Sequence, residues 1–299
     1  MKKDLLDFLK INEVEYKENV VAKFFSPVKI GGNVNIVIYP DNERKMISAL
    51  DFLGENEICY KVIGRSSNIL FPDTKVNTVL IKTDNMRGAE ISRKIVRLSS
   101  GETLFSNARY FAKNGVGGIS ELCGIPGSIG GLIRNNAGAF GREIGDLVKS
   151  VKAYFPENKQ ILHLENKDLS FEYRSSIFKS NNLVVLSADL KMQHDSSPND
   201  ILREIEMYKD LRRNSQPTGL PSLGSVFKRP KGDFAARLID ISGLKGFSIG
   251  GAEVSRKHAG FIINKGNATS NDFRLLVEYI KQTVFELQGV KLEEEIEFL

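Results

Sequence analysis

The sequence predicts an α+β protein in three regions, and three observations carry that prediction. Short β-branched runs alternate with a helical spacing near the N-terminus. A long glycine-rich segment flanked by strand patterns occupies the middle, and capped helices followed by an alternating stretch fill the C-terminal part. At 299 residues the chain is long enough for about two domains and a well-buried core.

The chain opens with MKKDLLDFLK. Leu5, Leu6, Phe8 and Leu9 have amphipathic spacing, while Asp4, Asp7 and Lys10 interrupt the apolar run, so a short helix is expected and not a signal peptide. Asn35–Tyr39, Ile58–Ile63 and Val76–Ile81 read as strands, and Asp41–Leu53 spaces Met46, Leu50 and Leu53 for a helix between the first two. Lys94–Ser99 reads as a strand. Leu104, Ala108 and Phe111 then mark a helix closing at Asn114 and Gly115. Beyond the glycine-rich stretch from Gly115 to Gly145, strands are expected at Val148–Phe155 and Leu183–Leu190. His194–Asp200 has the turn chemistry of a boundary.

The third region starts with a helix carrying Ile201, Ile205, Tyr208 and Leu211. Asp233 is expected to cap a helix through Leu238 and Ile239 that ends at Gly243. Asp272 is expected to cap another, with Phe273, Leu276, Ile280, Val284 and Leu287 on one face and Gly289 as its stop. The chain closes in a strand pattern, with Val290, Leu292, Ile296 and Phe298 on one face and Lys291, Glu293, Glu295 and Glu297 on the other.

Composition excludes several classes. Two cysteines build no disulfide framework, which suits a reducing cytoplasm; Cys59 and Cys123 read as small buried hydrophobes. Three dispersed histidines, His163, His194 and His258, argue against a metal site. The chain holds no apolar run of membrane-spanning length. A net charge of +5 permits an anionic ligand without demanding one, and no basic run interleaved with aromatics points to nucleic acid.

Familiar nucleotide motifs are missing: the sequence has neither a Walker loop nor GxGxxG. Gly246-Phe-Ser248-Ile-Gly250 matches GxSxG, but glycines crowd both sides of it, where a nucleophile elbow needs a strand and a helix. The segment Gly124-Ile125-Pro126-Gly127-Ser128, with Gly130, Gly131, Asn135, Ala137 and Gly138, is more informative. Its glycines permit close approach of a ligand and outward-turned N–H groups, as a pyrophosphate requires, although a run of tight turns would read the same way. A second loop, Gly64-Arg65-Ser66-Ser67-Asn68-Ile69, follows a strand and supplies hydroxyl and amide donors. Arg174, among aromatics in Phe171–Ser176, is a permanent cation able to meet developing negative charge, or a structural arginine of a surface turn. Ser225 follows Gly224 near Lys228, and Glu295 lies on the polar side of the final stretch; on their residues alone the first reads as an ordinary turn serine and the second as a solvated acidic edge.

In order along nearly the whole chain, these segments resemble the UDP-N-acetylenolpyruvoylglucosamine reductase family, flavoproteins of peptidoglycan precursor synthesis. The motifs are Val28–Gly32, Gly64–Leu70, Gly124–Gly141, Tyr173–Ser176, Gln216-Pro217, Pro221–Pro230, Leu238–Gly251, His258–Thr269 and Leu292–Ile296. The resemblance implies two FAD-binding subdomains of the vanillyl-alcohol-oxidase type, 1–84 (joined by 290–299) and 85–198, plus an α+β substrate domain, 199–289. It implies that NADPH reduces FAD, and that hydride then passes from flavin N5 to the enolpyruvyl carbon of a UDP-sugar. Arg174 and Glu295 would stabilise the enolate and Ser225 would donate the proton, with Lys228 a candidate relay. For Glu295 to donate it must hold a proton, which burial would favour. The loops 64–69 and 124–138 would contact FAD, and Lys228, Arg229 and Arg213, with Arg212 beside them, would meet the substrate diphosphate. The family carries glycine where this chain has Ser66 and asparagine where it has Arg229. The short spacing from Arg174 to Ser225 resembles the subclass without a substrate-covering tyrosine. Beside this reading stand a flavin oxidoreductase of the same fold with another substrate, and a non-catalytic nucleotide-binding regulator. No nucleic-acid or membrane partner is expected, and a monomer is the default expectation.

Overall fold

The computed structural model describes residues 2–93, 95–193 and 197–299. His194, Lys94 and the start of the expected boundary turn lie outside the described residues. The chain divides into two compact units: 2–18, 36–65 and 78–210 in the first, and 19–35, 66–77 and 211–299 in the second.

In the first unit, Asn33–Tyr39, Val79–Lys82 and Tyr60–Ile63 run parallel in that order, with Ile38 opposite Ile81 and Ile63 opposite Lys82. Glu15–Val21 lies at the edge of this sheet. Parallel strands need a covered crossover, and the helix Glu43–Glu55 provides it, buried through Met46, Leu50 and Leu53 and capped by the Asn42 side chain. Lys2–Ile11 forms the expected amphipathic helix, burying Leu5 and Leu9.

Five antiparallel strands form the other sheet of this unit, in the order Gln160–Glu165, Val148–Phe155, Val184–Lys191, Ile95–Ser99, Ala89–Ser92. One face packs on the helices Leu104–Lys113 and Ile129–Arg134 around Phe111, Ile119 and Ile133. Tyr154, Val184 and Leu186 join the cluster of Ile38, Leu50 and Ile81 instead. That sharing explains why residue 84 falls inside a compact unit. Residue 198 does so because the helix Pro198–Ser215 buries Ile201 and Ile205 in the Phe111 cluster.

In the second unit the sheet order is Ser222–Ser225, Phe261–Asn264, Ala252–Val254, Ser248–Ile249, all antiparallel. The helices Ala235–Ile241 and Ser270–Gln288 bury Leu238, Ile239, Phe273, Leu276 and Ile280 with Val28, Ile30 and Leu70. Several expectations shift. Asp233 is not the cap: Phe234 holds that position, and the Asp233 carboxylate accepts from the Phe234 N–H at 2.7 Å and binds Arg237. Asp272 is the third residue of its helix; Thr269 caps, in a reciprocal capping box. Leu287 is 61% exposed, because the helix stands clear of the core in its last turn. The final stretch is not one strand. Only Glu297–Phe298 is, running parallel to Ile69–Leu70.

Cys123 is buried and its thiol is pushed up to about 11 by that burial, whereas Cys59 is exposed, just ahead of its strand. Among the described residues no group of His, Cys, Asp or Glu is placed to hold a metal ion, and no helix is long and apolar enough to cross a membrane.

Candidate active site

The first loop leaves the carboxyl end of a parallel strand, where open α/β sheets bind ligands. Gly64 is required by close approach: a Cβ there would collide with the Ser128 hydroxyl. Lys82, 2% exposed, donates to the Gly64 carbonyl at 3.0 Å and pairs with Asp84 at 3.1 Å. Burial lowers the lysine pKa and Asp84 works against that shift.

In the second unit, Ser66 sits at φ +56°, in the left-handed region that favours glycine. Glycine would take this backbone freely, and here a serine side chain is carried on it. Ser67 follows, and Asn68 donates from Nδ2 to the carbonyl of Glu295 at 2.9 Å, while its own carbonyl accepts from the Glu297 N–H at 2.8 Å. Ile69 is paired with Glu297 in the parallel ladder.

The glycine-rich segment works differently from an open anion nest. Ser128 caps a six-residue helix, Ile129–Arg134, and accepts from the Gly131 N–H at 3.4 Å. The Ile129 and Gly130 N–H groups donate to the Glu102 and Ser100 carbonyls at 2.8 and 2.9 Å, and the Gly127 N–H to Ile125. Close packing demands glycine at Gly138, where a Cβ would lie 2.6 Å from the Arg142 carbonyl, whereas a Cβ on Gly130 or Gly131 would meet only ordinary contacts at 3.4 and 3.5 Å. Gly124, Ile125 and Ala137 are partly exposed and Pro126 is exposed, so this edge of the loop remains accessible.

Arg174 stands at φ +54° in a turn closed by two hydrogen bonds between Glu172 and Ser175. Its guanidinium donates to the carbonyls of Asn136 and Gly138 at 3.4 and 3.2 Å and faces Glu143 at 3.6 Å. The organiser of this corner is Asn136, 2% exposed, which donates to Glu143 at 2.7 Å and to the Glu172 carbonyl at 3.0 Å, and accepts from the Gly145 N–H at 3.0 Å. Sequence reading selected its neighbour Asn135 and overlooked both Asn136 and Glu143. Only the adjacency of Asn136 to a glycine loop hinted at it.

Ser225 and Glu295 are brought onto adjoining backbone. The four residues Ser222–Ser225 oppose the three residues Phe261–Ile263, a bulge with Gly224 at φ +79° that re-aims Ser225. The Glu295 N–H donates to the Val226 carbonyl at 2.8 Å, and Phe227 bridges Glu294. Glu295 is half-buried, unlike a solvated acidic edge. The expected relay is not made: Ser225 donates to the Phe227 carbonyl at 3.3 Å, whereas Lys228 turns to Glu293 at 3.2 Å, because the Lys228 N–H is bonded to the Glu293 carbonyl and sets the two side by side. Arg229 is exposed and stacks on Phe234 at 4.9 Å; the Arg213 carbonyl accepts from Lys257; the half-buried Arg212 donates to Gln216 at 3.2 Å. Ser248 of the GxSxG match lies in a two-residue strand followed by another strand, so no nucleophile elbow forms.

Both expected FAD loops hold polar atoms suited to a ligand. Ser66 Oγ and Asn135 Oδ1 within those loops, and Thr83 Oγ1 outside them, are buried with no hydrogen-bond partner among the described residues. Orphaned buried polar groups are costly in a folded chain, and complementary ligand groups would satisfy them. The residues present therefore fit an FAD with its pyrophosphate.

Comparison with known proteins agrees. The family model described as UDP-N-acetylenolpyruvoylglucosamine reductase, C-terminal domain, matches residues 216–299, and that of an FAD binding domain matches residues 34–164. A UDP-N-acetylenolpyruvoylglucosamine reductase of Caldicellulosiruptor saccharolyticus is 35% identical over 96% of this chain and 92% of its own length. One of Streptococcus pneumoniae is 35% identical over 100% of this chain and 98% of its own. The crystal structure of the Thermus caldophilus reductase of that name covers 95% of this chain and 98% of its own, with a TM-score of 0.79 and 28% identity. A berberine bridge enzyme variant, 15% identical with a TM-score of 0.51 over 64% of this chain and 43% of its own, shares the fold alone.

Proposed function

We propose that this chain, which belongs to the UDP-N-acetylenolpyruvoylglucosamine reductase family of FAD-dependent oxidoreductases, reduces the enolpyruvyl ether of UDP-N-acetylglucosamine to UDP-N-acetylmuramate, with NADPH as reductant. When bound, FAD supplies hydride storage between the two substrates. The chain's own residues supply the rest. Hydride arriving at the terminal carbon leaves negative charge on the neighbouring carbon and its carboxylate. Arg174 meets that charge with a guanidinium that carries no proton cost. Glu295 polarises the same group, and Ser225 gives its hydroxyl proton to the carbanionic carbon. Lys228, Arg229 and Arg213 supply positive charge for the diphosphate.

The observation that carries the reading is the joining of Ser225 and Glu295. They are far apart in sequence, yet the Glu295 N–H is bonded to the carbonyl of the residue after Ser225. That bond sets the carboxylate-bearing stretch beside the backbone that leaves the Ser225 bulge. The two cysteines, both free thiols, support a cytoplasmic location for this activity.

The test separates the two halves of the reaction. NADPH should bleach the yellow protein under anaerobic conditions, and the enolpyruvyl UDP-sugar should restore the colour. Ser225→Ala should leave bleaching within twofold of the parent and slow recolouring by about a hundredfold or more, the usual range for a lost proton donor. Equal loss in both halves would remove Ser225 from the chemistry.

A further inference from the structure

A buried ammonium needs a reason, because lysine is almost never fully buried unless paired. Lys82 ends the strand Val79–Lys82 at the carboxyl edge of the parallel sheet, directly opposite Ile63. The loop that begins at Gly64 leaves from this point. The Lys82 Nζ holds the Gly64 carbonyl at 3.0 Å and is itself held by Asp84 at 3.1 Å. The peptide bonds of the described residues are trans, and in a trans peptide the carbonyl and the following N–H point to opposite sides. A carbonyl drawn inward by Lys82 therefore turns the N–H of Arg65 the other way. The loop has little freedom to undo this, since the Ser128 hydroxyl occupies the space where a Gly64 Cβ would stand.

We propose that Lys82 is a positioning residue for FAD: it presets the Gly64–Arg65 peptide as an N–H donor for the pyrophosphate and adds a fixed positive charge beneath that loop. This inference rests on the reading of the first loop as a cofactor contact. Its energetic logic is preorganisation, since a donor already oriented needs no reordering when the anion arrives. Asp84 offsets part of the burial cost of the ammonium, while its own carboxylate, 3.1 Å from Nζ, opposes an anion bound at the loop.

The experiment measures binding by the apoprotein, not turnover. FAD, ADP and riboflavin are titrated against the parent, Lys82→Met and Asp84→Asn, with thermal melting of each. In Lys82→Met, FAD and ADP should weaken at least tenfold while riboflavin, which lacks phosphate, stays within twofold. In Asp84→Asn, which keeps the Lys82 contact and removes a negative charge, FAD should bind as tightly as in the parent or more tightly. FAD affinity within twofold of the parent in Lys82→Met would overturn the proposal, as would equal losses for riboflavin and ADP. Should Lys82→Met fail to fold, Asp84→Asn decides: a tenfold loss of FAD there would show a merely structural ion pair. A parent chain that takes up no FAD would overturn the cofactor reading and this proposal together, whereas a defect confined to Lys82→Met leaves the cofactor reading intact.

Discussion

Ser66 holds a left-handed backbone, φ +56°, with its side chain 4% exposed. For a residue with a Cβ that conformation costs roughly 1–2 kcal/mol, which glycine avoids. Glycine also frees the unfolded chain, and that offsets part of the gain. Ser66→Gly should therefore stabilise the apoprotein by up to about 1 kcal/mol, raising Tm by about 2–4 °C in a scanning melt. A fall in Tm would mean that the Ser66 hydroxyl contributes more than its backbone costs. Glu102, another residue the sequence did not mark, holds the opposite kind of tension. Burial pushes its pKa up, but bonds from Asn107, the Gly88 N–H, Arg87 and Ser106 together bring it below the ordinary value. A carboxylate whose folded pKa is depressed stabilises the fold above the unfolded pKa, and that contribution is lost as pH falls through the folded value. Urea melts should thus show Glu102→Gln less stable than the parent at pH 7, with the gap closing below about pH 4, the unfolded carboxylate range. A gap independent of pH would assign the loss to packing.

Among the elements, the helix Ser270–Gln288 shows how far a cap can reach. The Asp73 carboxylate accepts from the Ser270 N–H at 2.8 and 3.0 Å and from the Asn271 N–H at 3.4 Å, although Asp73 lies in a loop of the other end of the sequence. Negative charge at a helix N-terminus meets orphan N–H groups and the positive end of the helix dipole. Asp73→Ala should cost about 1–2 kcal/mol, read as a lower urea midpoint at unchanged slope. The helix itself was legible: Phe273, Leu276, Ile280 and Val284 are spaced for one face and all are buried. Its cap was misplaced because Asp272 and Thr269 bond to each other's backbone, and local pattern alone does not say which is first. Asp73 had no local signal at all. The strands Val148–Phe155 and Val184–Lys191 were read within a residue, because a short apolar run bounded by turn residues is written locally even where both faces are buried, as at Val184–Ala188. The final stretch was overread as one strand. Its alternation reflects Leu292 and Ile296 reaching the core, while backbone pairing is limited to a bridge at Glu294 and the ladder at Glu297.

Across the whole molecule, sequence order and spatial order diverge most in the second unit, which takes residues 19–35 and 66–77 from the front of the chain and the rest from 211 onward. Residues of the first unit's part of the site differ in how locally they are written. Gly64, Ser128 and Arg174 could be nominated from motifs, but Lys82, Asn136 and Glu143 matter through partners dispersed in sequence, which no short window displays. The parallel ladder between Glu297–Phe298 and Ile69–Leu70 has a consequence for how the chain is made. On a ribosome, Ile69 and Leu70 emerge long before the strand that pairs with them. At about 5–20 residues per second they wait on the order of ten to fifty seconds for it. The first unit can gather its sheets while translation continues, whereas the second closes only once Glu297–Phe298 has arrived. A product truncated before this strand therefore leaves the Leu70 core unsealed and presents apolar surface for proteolytic removal.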